Sequence, residues 1–302
     1  LTLRPRGFMS KELRVLITES GGPAAVGLIK SILKSKYTCQ IFATDCKALS
    51  AGNLLSDSFV LCPPAEDDNF IVEIEGIIEK NNINVIIPTG EHDLEKLSYH
   101  KEKLRSKGCK VFCSDTFTIH TCQQKHRFYN FLKEKNINLP LTIRGPFIEK
   151  PIKGSGSRGI EISESRDQII QQYISGKEYT VDIFCDMHGF IISHVIRERV
   201  STKAGISVVG KVCKNTSITE QVQKAVKELK IKGPACMQFI VDKFSIPYLI
   251  ECNPRLGGGT YISTLAGVNC ADIYFDLYFG KDPCVSDPKE ITVVRYFEEI
   301  VV

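Results

Sequence analysis

The chain has 302 residues, 43% hydrophobic and 25% charged, an ordinary composition for a globular protein with a sizeable core. Its net charge is only +4, and no basic run reaches the length of a nucleic-acid-binding or membrane-binding tail. The apolar stretches are strand-sized, so none is expected to span a bilayer. We therefore expect two domains, or one large one, in a cytoplasmic protein without nucleic-acid or membrane partners.

Residues 1–10 lack the apolar segment of a secretory signal, so we expect a tag or disordered start, with Met9 as the natural first residue. The twelve cysteines include no C-x-x-C pair and no neighbouring histidine cluster. We expect reduced thiols rather than a structural zinc site.

Residues 11–113 alternate strand and helix patterns, which predicts a parallel sheet with helical crossovers, an α/β Rossmann-like domain. The first predicted helix, 25–33, places Val26, Ile29 and Leu33 on one face. The other predicted elements are strands at 14–18, 39–44, 85–87 and 110–113 and helices at 67–80 and 91–107.

Residues 114–302 show an α+β pattern. The predicted elements are helices at 121–135 and 219–230, short strands around a Gly/Ser-rich turn at 154–159, and hairpin strands beginning near Tyr179, Phe190, Cys236 and Tyr248.

A glycine pair, Gly21-Gly22, follows the first strand and opens a helix. Asp45 ends the next strand, where a ribose-binding acid belongs in a dinucleotide site. Pro23 departs from the dinucleotide pattern, because it removes a backbone donor at the helix start. A nicotinamide-dependent oxidoreductase remains an alternative.

A second glycine-rich loop, Gly154-x-Gly156-x-x-Gly159, is followed by the alternating pattern Ile160-Glu161-Ile162. This pattern predicts a loop between two strands, whereas a dinucleotide site needs a helix there. Its backbone amides and serine hydroxyls could fold over phosphates, with Lys150 as a point charge. An ordinary hairpin is the alternative.

Carboxylate and amide oxygens cluster near the end of the chain. Glu251 and Asn253 are two apart on a strand and share a face, and Gln238 lies on the neighbouring strand. Such oxygens suit Mg²⁺, and the fork of Arg255 could bind an anionic oxygen. The alternative is a polar strand end with a Pro-Arg turn.

Three further charged residues stand at predicted strand ends. Glu178 could accept hydrogen bonds from ribose hydroxyls, and Arg197 and Arg199 could bind substrate or a transferred phosphate. Solvated strand ends are the alternative.

Together these segments resemble the ATP-grasp superfamily, in particular the branch of the carbamoyl phosphate synthetase large subunit and the pyrrolysine-biosynthesis ligase. The resemblance runs from about residue 12 to the end. It implies a Rossmann-like pre-ATP-grasp domain at 11–113 and an ATP-grasp domain of two α+β subdomains at 114–302, with a small lid at about 145–180.

The resemblance also implies roles for single residues. The ATP phosphates would be bound by Lys125, Lys150, Ser155, Gly156 and Ser157. Gln172, Tyr173 and Ile174 would line the adenine site, and Glu178 would bind the ribose. Gln238, Glu251 and Asn253 would hold Mg²⁺, two ions in all, with Mn²⁺ able to substitute. Arg255, Lys150 and Asn253 would be catalytic.

The implied activity is an ADP-forming ligase that joins a small-molecule carboxylate to an amine, or to a thiol, through an acyl phosphate. A homodimer is compatible with this interpretation. The acceptor pocket would lie between the domains, touched by Gly21, Gly22, Glu91, Arg197, Arg199, Gly257 and Gly258. The alternatives are carboxylate phosphorylation of the carbamoyl-phosphate-synthetase kind and a catalytically silent nucleotide-binding regulatory protein.

Two departures from the family pattern bear on these roles. Leu256 and the glycines after Arg255 replace the usual serine- and arginine-rich continuation, which favours an organic acid over bicarbonate. The segment 160–171 is short, which affects the details of the adenine site.

Overall fold

The computed structural model describes residues 12–144, 147–149, 161–163, 169–203, 205–296 and 298–301. The predictions for residues 1–10, for Lys150 and for Ser155, Gly156 and Ser157 lie outside the described residues. Within the described ranges, no helix has both the length and the apolar character that crossing a bilayer requires.

The first sheet consists of five strands: β1 (Leu13–Ile17), β2 (Cys39–Asp45), β3 (Ser58–Leu61), β4 (Val85–Ile87) and β5 (Lys110–Val111). They pair in parallel in the order β3-β2-β1-β4-β5. The chain thus extends the sheet first to one side of β1 and then to the other. In such sheets ligands bind at the carboxyl ends of the strands, near this switch point.

Four helices connect these strands: α1 (Pro23–Leu33), α2 (Ala51–Leu55), α3 (Phe70–Asn81) and α4 (His92–Ser106). Successive side chains of β1 point to opposite faces of the sheet. Val15 therefore packs with α1, whereas Leu16 packs with α3 and α4. The buried face of α1 includes Leu28 and Ile32, whereas Leu33, expected on that face, is 67% exposed.

Two helices, α5 (Thr116–Gln123) and α6 (Lys125–Leu132), replace the single helix predicted over 121–135. Gln124 has an extended backbone (φ −95°, ψ 100°), which ends α5 and starts α6 in a new direction. Phe128 and Leu132 then pack against the second sheet.

Four short strands follow: β6 (Thr142–Arg144), β7 (Phe147–Glu149), β8 (Glu161–Ser163) and β9 (Ile169–Gln171). β6 pairs with β9, and β7 pairs with β8, both antiparallel. The glycine-rich turn predicted at 154–159 lies outside the described residues; β7 ends before it and β8 begins after it.

The second sheet consists of six strands: β10 (Gly176–Cys185), β11 (Ile191–Lys203), β12 (Ile206–Val212), β13 (Pro234–Asp242), β14 (Pro247–Asn253) and β15 (Thr292–Val294). They pair antiparallel in the order β14-β13-β10-β11-β12-β15. The remaining helices are α7 (Thr216–Leu229), α8 (Tyr261–Leu265) and α9 (Cys270–Tyr278). Asn215 caps α7 by accepting a hydrogen bond from the backbone N–H of Ile218 at 3.0 Å.

One hydrophobic core joins the two sheets. Val15 of β1 and Leu28 of α1 belong to the same buried cluster as Phe184 of β10, Val195 of β11 and Tyr274 of α9. The opposite face of the second sheet packs separately against α6 and α7. The shared core fixes the orientation of the first sheet relative to the second, because apolar groups on both sides would otherwise be exposed to water.

A buried ion pair lies between β10 and β11. Arg197 donates from Nε and Nη2 to the two carboxylate oxygens of Asp182, at 3.0 and 2.9 Å, and both side chains are almost fully buried. Thr260 and Ser263 also donate to this carboxylate, at 3.2 and 2.5 Å. Asp182 therefore ties α8 and the loop before it to the sheet.

The glycines of this loop permit close packing. A Cβ atom at Gly259 would lie 2.5 Å from Nη1 of Arg197, and one at Gly257 would lie 2.6 Å from the sulfur of Cys236. Larger residues at either position would push the loop away from the sheet.

We predict that Asp182→Ala destabilises the protein by about 3–5 kcal/mol, because it leaves the guanidinium of Arg197 buried without its partner. Equilibrium unfolding in urea measures the change. The matched control is Asp287→Ala, which removes the exposed ion pair with Lys214 and should cost less than about 1 kcal/mol. Equal losses in the two variants would contradict the structural role of Asp182.

Candidate functional site

Polar side chains collect on one face of the second sheet, opposite the face that packs on α6 and α7. Because side chains alternate along a strand, Met237 and Cys252 enter the core, while their neighbours point the other way. We call this surface the polar face; it comprises Glu178, Arg199, Gln238, Glu251 and Asn253.

The three residues predicted as Mg²⁺ ligands lie together on the polar face. Gln238 of β13 is directly opposite Glu251 of β14 in the strand register. Asn253 donates from Nδ2 to Oε1 of Glu251 at 3.0 Å. The tertiary structure thus assembles the oxygen cluster that the sequence spacing predicted.

Arg199 connects this cluster to Glu178. Its Nη1 donates to Oε1 of Gln238 at 2.9 Å and lies 3.3 Å from Oε2 of Glu178. Its Nη2 donates to the carbonyl of Gly205 at 2.6 Å. Arg199 was predicted for the acceptor pocket, but it lies between the predicted ribose residue and a predicted metal ligand.

The oxygen cluster fits a hard divalent cation by its donor chemistry. Glu251 supplies a half-buried carboxylate, and Asn253 and Gln238 supply amide oxygens, the ligands that Mg²⁺ accepts together with water and phosphate oxygens. The described residues contain no group of three or more His, Cys, Asp or Glu side chains that could hold a metal. One carboxylate and two amides carry a single negative charge. This ligand set therefore suits a divalent cation that is bound together with an anionic ligand.

Arg255 contacts the first domain. The backbone turns after Asn253, where the N–H of Arg255 donates to the Asn253 carbonyl at 2.8 Å. Nη2 of Arg255 then lies 3.7 Å from Oε2 of Glu91, the residue before α4. Glu91 and Arg255 were both predicted as site residues, and the structure brings them together.

Arg197 requires a correction. The sequence suggested that Arg197 and Arg199 end a strand, but β11 continues to Lys203. Arg197 is fully buried and is held by Asp182, so it is not positioned to bind an acceptor anion. Arg199, two residues further along β11, is not part of this ion pair and lies on the polar face.

The other predicted residues occupy the edges of this region. Lys125 is exposed at the start of α6, one turn before Tyr129, whose hydroxyl donates to the carbonyl of Ile250 on β14. Gln172, Tyr173 and Ile174 lie in the segment between β9 and β10, and Tyr173 is 87% exposed.

The glycine pair of the first domain lies near the glycines that follow Arg255. A Cβ atom at Gly258 would approach Cβ of Pro23, next to Gly22, at 3.3 Å. The backbone N–H of Gly21 donates to Oδ2 of Asp45 at 2.8 Å. Two of the glycine loops predicted to border the acceptor pocket are therefore neighbours.

Two carboxylates that the sequence pattern did not single out lie beside this junction. Oε1 of Glu19 accepts hydrogen bonds from the backbone N–H groups of His92 and Asp93, at 3.1 and 3.2 Å, where α4 begins. Asp93 is 1% exposed, and its carboxylate oxygens accept no hydrogen bond within the described part of the chain. The only sequence signal was an acid beside Leu94 and Leu97 in an otherwise amphipathic helix.

The backbone at Glu19 is unusual. Its φ is +47°, a left-handed conformation that few non-glycine residues adopt. This conformation directs the carboxylate against Gly90, where a Cβ atom would lie 1.8 Å from Cδ of Glu19. Glu19 can therefore reach the start of α4 only because residue 90 is glycine.

Burial, together with the like charge of Glu19, raises the pKa of Asp93 from 3.8 to about 7. The Thr18 side chain, the backbone at Asp93 and the positive charge of Arg255 oppose this shift of the pKa but do not cancel it.

Comparison with known families assigns both halves of the chain. Residues 15–112 match the model described as "PylC-like, N-terminal domain", and residues 164–300 match "ATP-grasp in the biosynthetic pathway with Ter operon". A carbamoyl phosphate synthase large chain from Thermoanaerobacter sp. (strain X514) is 24% identical over 221 residues, which cover 60% of this chain and 20% of that protein. The chain thus spans about a fifth of the length of such curated relatives.

Solved structures share the fold. The biotin carboxylase domain of Hydrogenobacter thermophilus 2-oxoglutarate carboxylase, a dimer in complex with MgADP, ADP and bicarbonate, aligns with a TM-score of 0.66 and 16% identity, covering 93% of this chain and 73% of that one. An L-amino acid ligase from Bacillus licheniformis aligns with a TM-score of 0.63 and 16% identity, covering 88% and 74%. The predicted fold class, a Rossmann-like domain followed by an ATP-grasp fold, is confirmed.

We predict that Asp93→Asn stabilises the protein increasingly as the pH rises. The folded wild type keeps the Asp93 proton up to about pH 7, whereas the unfolded chain releases it near 3.8. Folding therefore takes up a proton between these values, and the free energy of unfolding falls as the pH rises towards 7. Asparagine has no such proton to lose, so Asp93→Asn avoids this loss of stability.

Thermal melts from about pH 5 to 8 measure the difference in Tm between the variant and the wild type; it should grow with pH and level off above about 7. Glu102→Gln, an exposed acid on the same helix, is the control and should show no such trend. A difference that does not change with pH would contradict the raised pKa.

Proposed function

Because the chain belongs to the ATP-grasp superfamily, we propose that it is an ADP-forming ligase that joins a small-molecule carboxylate to an amine, or to a thiol, through an acyl phosphate. The observation that carries the proposal is the oxygen cluster of Gln238, Glu251 and Asn253, assembled from two strands beside Arg199. A protein of this fold without catalytic activity would not need this cluster of oxygen ligands.

The nucleotide would lie over the polar face. Glu178 would accept from the ribose hydroxyls, and Gln172, Tyr173 and Ile174 would line the adenine. Lys125, Lys150 and the loop with Ser155, Gly156 and Ser157 would bind the phosphates. Arg199 would hold Glu178 and Gln238 in place, because it contacts both side chains.

Gln238, Glu251 and Asn253 would hold Mg²⁺, which neutralises phosphate charge when bound. We propose two ions, with Mn²⁺ as a substitute. The half-buried carboxylate of Glu251 supplies the negative charge of this ligand set, and its bond from Nδ2 of Asn253 fixes the orientation of both side chains.

In this reaction the protein mainly positions the reacting groups and neutralises the charge of the phosphates. A carboxylate oxygen of the substrate takes the γ-phosphoryl group of ATP, and ADP leaves. The neutral amine nitrogen then attacks the acyl carbon, phosphate leaves with the electron pair of the broken C–O bond, and the nitrogen releases one proton to solvent. Arg255, whose Nη1 donates to the carbonyl of Leu256 at 3.1 Å and whose Nη2 lies 3.7 Å from Oε2 of Glu91, would stabilise the transferring group through its positive charge.

The acceptor pocket would lie where the domains meet, among Gly21, Gly22, Glu91, Gly257 and Gly258, with Arg255 at its edge. Small-molecule carboxylates and amines would be the only partners besides nucleotide, in the cytoplasm, and we propose a homodimer. A nicotinamide-dependent oxidoreductase is disfavoured, since Asp45 already binds the Gly21 N–H that a phosphate would need.

We predict that MgATP raises the Tm of the wild-type protein by several degrees, because a ligand at about 100 times its Kd contributes about 2.7 kcal/mol. ATP with a chelator should give a smaller shift, and NADH none. Glu251→Ala should remove the magnesium-dependent part of the shift.

The control is Glu220→Ala, an exposed acid on α7 beyond the opposite face of the sheet, which should respond like the wild type. A shift with NADH alone, or an unchanged magnesium dependence in Glu251→Ala, would contradict the proposal. A magnesium-dependent shift would justify screening acids and amines for phosphate release.

A further inference from the structure

A cavity of about 410 Å³ opens at the carboxyl ends of β1 and β2. All of its lining residues come from residues 18–93, so it belongs to the first domain and not to the polar face. Its wall includes His92, which follows Glu91, the ion-pair partner of Arg255. The cavity is therefore next to the loop proposed to stabilise phosphoryl transfer.

The charged residues that line the cavity are mostly acidic. Four carboxylates face it, against one lysine, Lys47, and one histidine, His92. The carboxylates are Glu19, Asp45, Glu66 and Asp93. Nδ1 of His92 lies 3.0 Å from Oε1 of Glu66, so the remaining groups leave a negative potential that favours a cationic ligand.

Three backbone donors beside the cavity are already occupied by this chain's own carboxylates. Glu19 accepts from the first N–H groups of α4, and Asp45 accepts from the N–H of Gly21 at the start of α1. Helix N-termini are the usual phosphate sites of such domains. A phosphate at any of these three donors would have to displace a carboxylate and would face three others.

Asp93 is a buried acid whose carboxylate has no hydrogen-bond partner of ordinary geometry among the described residues. Its side chain is 1% exposed and lines the cavity, and neither carboxylate oxygen accepts a hydrogen bond within the described residues. The Thr18 side chain lies beside it and lowers its pKa, but the Thr18 hydroxyl, too, forms no hydrogen bond of ordinary geometry within that part of the chain. A buried carboxylate without donors costs stability, and a ligand that brings donors would remove that cost.

We propose that this cavity binds the protonated primary amine of a small ligand, with Asp93 and Glu19 as its carboxylate partners. An ammonium group carries three donors and no acceptor. Asp93 offers two oxygens, and Glu19 offers Oε2, since both of its hydrogen bonds to α4 use Oε1. The inference deepens the proposed function and rests on it only in identifying this amine, after it has lost its proton, as the nucleophilic substrate.

The test is a thermal-shift and calorimetric titration of the full chain at about pH 8, where Asp93 is ionised, with and without MgADP. The probes are putrescine and L-lysine, with succinate and inorganic phosphate as anions. At least one amine should raise the Tm of the wild type, and the anions should not act at this cavity. Asp93→Asn should bind that amine at least about tenfold more weakly, the loss expected for one charged hydrogen-bonding partner.

Glu19→Gln is the second variant, and Glu102→Gln on the same helix as Asp93 is the matched control, which should bind like the wild type. The ligand-free Tm of each variant reports folding. Equal amine binding in wild type and Asp93→Asn would overturn the inference, as would no amine binding in either nucleotide state. So would an anion whose binding Asp93→Asn abolishes.

MgATP binding in the same variants separates the two proposals. If an amine binds in a way that depends on Asp93 but MgATP does not bind, the amine site is supported and the ligase proposal is overturned. If MgATP binds in a way that depends on Glu251 but no amine binds, the ligase proposal is supported and the amine site is overturned.

Discussion

The carboxylate of Asp182 organises the centre of the molecule. A charge removed from water must be paired and hydrogen-bonded, and Asp182 meets this demand with Arg197 from the next strand and with Thr260 and Ser263 from α8 and the preceding loop. The pairing fixes β10 against β11 and holds the glycines after Arg255 close to the sheet. Any other position of that loop would leave a buried charge without all its partners.

Both candidate sites depend on this arrangement. On one side, β13 and β14 continue the sheet and align Gln238 with Glu251, while Arg199 extends from β11 to reach them. On the other side, the loop held by Asp182 carries Arg255 to Glu91 at the start of α4. The hydrophobic core shared by the two sheets keeps the first domain within reach of that contact.

Asp182 and Asp93 are both buried acids, but their surroundings differ. Asp182 receives four hydrogen bonds and stabilises the fold, whereas Asp93 receives none within the described residues and faces the like charge of Glu19. Retaining such a group reduces stability, which is common where a protein keeps a site ready for a ligand. The left-handed backbone of Glu19 points to the same conclusion.

The sequence by itself determined the parallel and antiparallel sheets and the oxygen cluster, because alternation and spacing of two along a strand are local properties. It could not place Arg197 in a buried pair and Arg199 on the polar face, because the two side chains share one face of β11 and only the loop at Gly259, distant in the chain, packs over Arg197. Nor could it find the break at Gln124, the exposure of Leu33 or the acid pair of Glu19 and Asp93. Each of these was decided by contacts between residues distant in the chain, which only tertiary packing brings together.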